Sequence, residues 1–243
     1  MIAILTDFGV SGPYIGQMRA VLYSQAPGVD VLDLFPDLPA CNVQAAAYLL
    51  PAYTQYLAAG TVCLCVVDPG VGTERRPLAL QIDGRWFVGP DNGLFSLLIR
   101  RAHEVEANEI LWRPEALSDS FHGRDLFAPI AAGLAMGNTD GLEIIDAGKL
   151  VMPDWPDELG EVLYLDSFGN AITGLAAAAL PDTAALEVAG NRCSYSRTFA
   201  EAGSGGLFWY RNSNGLVEIA MNKADASIRA GIRTGDTITL ASN

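Results

Sequence analysis

Val62-Cys-Leu-Cys-Val-Val67 runs without a break into Asp68-Pro-Gly-Val-Gly-Thr73. An apolar run this short, closed by Pro and Gly, predicts a strand buried on both faces, as in parallel sheets. The carboxylate of Asp68 then stands at the carboxyl end of the strand, where open parallel sheets bind their ligands. Ile2–Leu5 followed by Thr6-Asp-Phe-Gly9 repeats the arrangement near the start of the chain. Asp7 and Asp68 are therefore expected to share one crevice. Cys63 and Cys65 are two residues apart and face the same side of their strand. They are expected to be core thiols in a reduced protein, and neither metal ligands nor a bridge.

Outward from this stretch, strand and helix signals alternate. Tyr14–Ser24 has apolar residues at helical spacing, Val29–Leu34 alternates like a strand, and Val43–Leu57 predicts a helix that Pro51 ends or kinks. Pro77–Ile82 and Arg85–Val88 flank Asp83-Gly84, a strong hairpin signal. Leu94–Arg101 and Leu126–Met136 predict two more helices. The alternation predicts an α/β, Rossmann-like domain with a mostly parallel sheet over residues 1–151. Residues 152–158, beginning Met152-Pro-Asp-Trp-Pro-Asp157, predict a linker. Beyond it, Glu161–Leu165, Asn170–Thr173, Ala185–Val188, Leu216–Met221 and Asp236–Leu240 are short strand candidates between Gly- and Asn-rich turns. They predict a smaller β-barrel or sandwich over residues 159–243.

Composition narrows the function. Half of the 243 residues are hydrophobic and 18% are charged, a globular balance. No apolar run reaches the roughly 18 residues of a membrane span, and the first residues lack the basic flank of a signal peptide. Fifteen basic residues against 28 acidic ones leave a formal charge of −13. Nucleic acids and anionic membranes need a basic footprint, so neither is expected as a partner. A small cationic or zwitterionic substrate and a cytoplasmic location fit better. With only two histidines, a metal site has few candidate ligands.

Four segments can carry chemistry. Asp7 can accept hydrogen bonds from a sugar diol, or simply cap the following turn. Asp68 opens a Gly-rich loop that is not a phosphate loop, because no Lys-Ser/Thr follows at the required spacing; the bland alternative is an ordinary Asp-Pro-Gly turn. In Glu74-Arg75-Arg76, Arg75 gains interest if it reaches back to Asp68, since a cation there keeps the acid ionised. His122 lies in Ser120-Phe-His-Gly-Arg-Asp125 ahead of a helix, a loop position where a histidine can titrate, while Asp125 can serve as a cap. In the second half, Asp166-Ser-Phe-Gly-Asn170 and Asn212-Ser-Asn-Gly215 offer amides and hydroxyls that suit a base edge or a ribose, and equally suit plain turns.

In order along the chain, Thr6–Gly9, Val67–Arg76, Val88–Leu94, Phe121–Asp125, Asp166–Asn170 and Asn212–Gly215 with Glu218–Ala220 resemble the S-adenosylmethionine hydroxide adenosyltransferase family, relatives of the fluorinase and chlorinase. The resemblance spans Ile2 to Ala220. It implies an N-terminal α/β domain, a C-terminal β-barrel, a homotrimer with sites between subunits, and attack of water on ribose C5′ of S-adenosylmethionine to give adenosine and methionine. It assigns Asp68, Arg75 and His122 to activating the water; because a cation beside Asp68 weakens it as a base, Arg75 is expected to position Asp68, and His122, or Asp68 and His122 together, to accept the proton. It assigns Asp7, with neighbouring Phe8, to the ribose. Asp166, Asn170 and Ser213 fall on nucleoside and amino-acid contacts, and the stretch Glu218–Lys223, with Glu218 and Met221, passes the adenine. No cofactor is implied. The halogenating relatives differ at all three activating positions and carry a Ser where this chain has Gly123; Gly12 stands where the family has an acid near the substrate ammonium. Two alternatives are a halogenase and a protein that binds S-adenosylmethionine or adenosine without turnover.

Overall fold

Strands β1 (Ile2–Thr6) and β3 (Val62–Val66) pair in parallel in a computed structural model that describes residues 1–241. Between them lie α1 (Tyr14–Gln25), β2 (Val31–Phe35) and α2 (Val43–Thr54). Pro51 sits inside α2, which runs one turn past it and stops three residues short of the expected end. The chain continues with β4 (Pro77–Ile82), β5 (Arg85–Pro90), α3 (Ser96–Arg101), β6 (Val105–Ile110), α4 (Ala128–Ala135) and β7 (Leu142–Ile145). These strands form one sheet in the order β2-β1-β3-β5-β4-β6-β7.

The expectation of a mostly parallel sheet holds for only half of it. β2, β1, β3 and β5 are mutually parallel, whereas β4, β6 and β7 join through antiparallel ladders. The cause is local. Asp83 and Gly84 both take positive φ, +46° and +76°, the combination that closes a two-residue hairpin, and β4 must then return antiparallel to β5. Both faces of the parallel half are covered. Ile2, Ile4, Val62, Leu64 and Val66 pack in one core with Met18 and Leu22 of α1 and Ala128, Ala131 and Leu134 of α4. The alternate residues Ala3, Leu5, Cys63 and Cys65 face the other way and are also buried. Burial pushes the Cys63 thiol up to about 12 and Cys65 well above the usual range.

The described chain divides into two compact units, Met1–Asp154 and Trp155–Asn243. The second contains β8 (Leu159–Leu165), β9 (Ala171–Ala176), β10 (Ala185–Val188), β11 (Asn191–Tyr195), β12 (Leu207–Arg211), β13 (Leu216–Met221), the short α5 (Ala226–Ala230) and β14 (Ile238–Leu240). Its sheet runs β14-β10-β11-β12-β13-β9-β8, and a bridge between Glu161 and Thr237 brings the two edges together, so the sheet nearly closes into a barrel. Trp209, Val217, Ile219, Leu186 and Cys193 fill the interior. The whole is a mixed α/β chain with two seven-stranded sheets among its described residues.

Candidate functional site

β1 and β3 are in register, with Thr6 opposite Val66, so the residues leaving their carboxyl ends emerge side by side. Asp7, Phe8 and Asp68 line a single cavity of about 210 Å³, together with Tyr14, Phe121 and His122. The crevice expected from the two strand ends is present. Asp7 Oδ2 accepts the Cys41 amide at 2.8 Å. Burial raises the Asp7 pKa above its usual value, and the charge of Asp68 adds to the rise.

Arg75 does reach back to Asp68. Its Nε donates to both carboxylate oxygens, at 3.0 and 2.9 Å, and its Nη2 donates to Asp68 Oδ2. The same Nη2 lies 2.8 Å from His122 Nδ1. The guanidinium stacks over the Phe127 ring at 5.2 Å. Its side chain is 9% exposed and that of Asp68 is 5% exposed. A guanidinium has donors only, so His122 Nδ1 must be the acceptor. The imidazole is then neutral, with its proton on Nε2. Burial first, and Arg75 second, lower the His122 pKa below the usual histidine value, which agrees with the neutral form.

Two close approaches hold this group together. Gly72 has φ +79°, and a Cβ there would lie 2.6 Å from the Asp119 carbonyl. The loop carrying Asp68 and Arg75 thus sits directly against the loop leading to His122. After His122 the chain makes a π turn, Gly123–Phe127, in which the Ala128 amide bonds the Gly123 carbonyl. Such wide turns within helices cluster at functional sites, and this one replaces the α-helical start expected at Leu126. Gly123 is itself packed: a Cβ would meet Phe8 and Phe121 ring carbons at 3.1 and 3.3 Å. Asp125 is a loop anchor. It accepts the Ser118 amide at 3.1 Å and pairs with Arg124, which lowers its pKa.

The remaining candidates meet in the second unit. Asp166, Asn170, Ser213, Glu218 and Met221 all line a cavity of about 810 Å³. Two of them also hold the walls of the cavity. Asp166 Oδ1 accepts the amides of Phe168 and Asn170, at 2.9 and 2.8 Å, and Oδ2 accepts Asn170 Nδ2 at 3.0 Å. It therefore holds the turn and aims Asn170. Glu218, 6% exposed, accepts the Tyr210 hydroxyl and, at 2.9 Å, Asn212 Nδ2. It braces the wall. The aromatic walls Phe168, Phe199 and Tyr210 carried no sequence signal beyond lying beside polar turns.

Among the described residues, no cluster of three or more His, Cys, Asp or Glu is placed to hold a metal, and no helix is long and apolar enough to cross a membrane. The family models for the SAM hydroxide adenosyltransferase N-terminal and C-terminal domains match residues 2–143 and 160–239. A relative from Thermus thermophilus, named (R)-S-adenosyl-L-methionine hydrolase, is 42% identical over 97% of each chain. One of the same name from Salinispora arenicola is 36% identical over 98% of this chain and 96% of its own. Fluorinases match more distantly. A crystal structure of a conserved protein from Thermotoga maritima superposes with a TM-score of 0.88 at 29% identity, covering 99% of this chain and 100% of that one.

Proposed function

The chain belongs to the S-adenosylmethionine hydroxide adenosyltransferase family, and from that membership we propose how it hydrolyses S-adenosyl-L-methionine to adenosine and methionine. The observation that carries the mechanism is the hydrogen-bonded series Asp68–Arg75–His122 beside the cavity that also holds Asp7. The relatives' name specifies the R configuration at sulfur, and the R sulfonium is the substrate we assign.

Water attacks C5′ as the C5′–S bond breaks. The electron pair leaves with sulfur as a neutral thioether, so departure requires neither an acid nor an electrophilic metal. Alignment of the nucleophile is then the chief task, worth up to about 7–11 kcal/mol in well-oriented systems. The neutral tautomer of His122 presents Nε2–H as a donor, while Nδ1 is taken by Arg75. That arrangement favours Asp68 over His122 as the acceptor of the water proton. Asp68 Oδ1, which accepts only from Arg75 Nε, keeps a lone pair for the water. Arg75 weakens Asp68 as a base and fixes its orientation; the cationic leaving group makes a weak base sufficient. Asp7 accepts the ribose hydroxyls. Asp166, Asn170 and Ser213 hold nucleoside and amino-acid groups, and the backbone from Glu218 to Lys223 passes the adenine. We assign a homotrimer whose sites lie between subunits, with no cofactor.

Incubation with each sulfur epimer in ¹⁸O-water tests this reading. Adenosine labelled at its 5′ oxygen is expected, faster from the R epimer. Unlabelled adenosine, or binding without product, overturns it, and a 5′-halogenated nucleoside formed with added halide would mark a halogenase. For the assembly, Asp68→Asn chains are mixed with Asn170→Ala chains and assayed at substrate concentrations well below KM, where Asn170→Ala alone is slow; activity above the mean of the two parents shows that subunits share sites, and exchange of subunits without that gain refutes sharing.

A further inference from the structure

Arg75 and Arg76 are chain neighbours bound to different partners. On entering β4, successive side chains turn to opposite sides. Arg75 goes to Asp68 and His122. Arg76 goes to Asp91: its Nη2 donates to Asp91 Oδ2 at 2.6 Å and also to the Lys149 carbonyl. The Arg76 carbonyl in turn accepts the Asp91 amide at 2.9 Å. The second Asp91 oxygen accepts the Val151 amide at 2.9 Å. Residue 76 is thereby gripped through main chain and side chain by the same buried acid. Neither Arg76 nor Asp91 lines the cavity that holds His122.

Asp91 is buried while the Arg76 side chain is 29% exposed, and such a pair is a poor source of stability, because desolvation of the acid and solvent screening of the cation offset much of the attraction. What this one supplies is a fixed position, one residue from a guanidinium that must touch two partners at once. We propose that Arg76 and Asp91 form a positioning latch that holds the Arg75 guanidinium between Asp68 and His122. The inference rests on reading those three residues as the group that handles the water.

The test measures kcat and KM for Arg76→Met, Arg76→Lys and Asp91→Asn, alone and with Arg75→Met, and titrates His122 by NMR in the single variants. His103 is the other histidine, so His122→Gln assigns the signals. The charged and titratable groups around His122 are Arg75, Asp68, Arg113, Asp119 and Asp125; only Arg75 adjoins the latch in sequence. Arg76→Met is expected to lower kcat about 10- to 100-fold with KM nearly unchanged, and Arg76→Lys to recover part of the loss. With Arg75→Met the effect of Arg76→Met disappears, because nothing remains to position. The His122 titration moves up toward the usual histidine range as Arg75 leaves Nδ1. Equal losses in both backgrounds, or an unmoved His122 titration in folded Arg76→Met, overturn the latch. If Arg76→Met fails to fold, the near-isosteric Asp91→Asn carries the same two expectations. A wild-type protein that releases no adenosine refutes the proposed function, while the His122 titration still decides the latch.

Discussion

The two cavities are built from different materials. In the first unit, the small cavity sets Asp7, Asp68 and His122 among the rings of Phe8, Tyr14 and Phe121, and behind it Arg75 joins the Asp68 carboxylate to the His122 imidazole through one nitrogen, Nη2. Their positions come from strand ends and from two loops in contact at Gly72. In the second unit, the cavity is several times larger and walled by amides and rings, and its acids Asp166 and Glu218 are already committed to neighbouring donors. Charge that is buried and coupled serves to move or steer a proton. Amides on turns, backed by satisfied acids, serve to recognise a shape. In the proposed mechanism bond breaking belongs to the first cavity and recognition to the second, with Asp7 as the recognition element on the reactive side.

The sharpest way to break that division is to remove the reactive groups and ask whether binding survives. Asp68→Asn and His122→Ala should lower kcat by about 10²–10⁴-fold while isothermal calorimetry finds adenosine affinity nearly unchanged. A parallel collapse of affinity would erase the distinction. A steric perturbation comes next. Gly72→Ala forces a Cβ against the Asp119 carbonyl at a φ that favours glycine. It should cost roughly 10²-fold in kcat, as expected for displacement of about 1 Å, and leave adenosine affinity intact.

The recognition side gives smaller effects with the opposite signature. Asp7→Ala should weaken adenosine binding about 10- to 100-fold, the range for hydrogen bonds to a charged group, and Asn170→Ala about fivefold, both with single-turnover rates at saturating substrate nearly unchanged. The smallest effect is on stability against pH. His122 titrates lower in the native protein than in the unfolded chain, whose value is about 6.5. Between those values the unfolded chain binds the extra proton. The contribution is complete above about pH 6.5 and is lost as pH falls through the native value. Melting temperatures should drop across that window, and His122→Gln should flatten the drop. An equal drop in the variant assigns it to other groups.

The sequence made some of this legible for physical reasons. The Asp83-Gly84 hairpin shows because two successive positive φ angles demand such residues. The strand Val62–Val66 shows because burial on both faces leaves no polar alternation. β6, Val105-Glu-Ala-Asn-Glu-Ile110, did not show: it mixes an exposed and a half-buried acid with buried residues in the antiparallel half of the sheet. β11, β12 and α5 escaped for a similar reason, since each is brief and partly polar and is defined by its partners. At the site, the carboxylates at strand ends and the pull of Arg75 toward Asp68 were readable from local spacing. The bond from Arg75 to His122 spans 47 positions and depends on how the chain enters α4. That Asp166 also holds its own turn was not readable, because the amides of Phe168 and Asn170 and the Asn170 side chain reach it only once the turn is folded.

The wide turn at Gly123–Phe127 gives the site a sensitivity of another kind. An α-helix advances about 100° per residue, and a turn that closes over five residues stores one residue more than the helix that follows it. Deleting Arg124 would let the segment rewind as plain α-helix, swinging everything upstream of it by about that angle. Asp68, Arg75 and His122 would all still be present, yet the imidazole would face elsewhere. The location of His122 is thus encoded partly as a count, so a lineage that lost one residue here could shed the activity without changing a single reactive side chain.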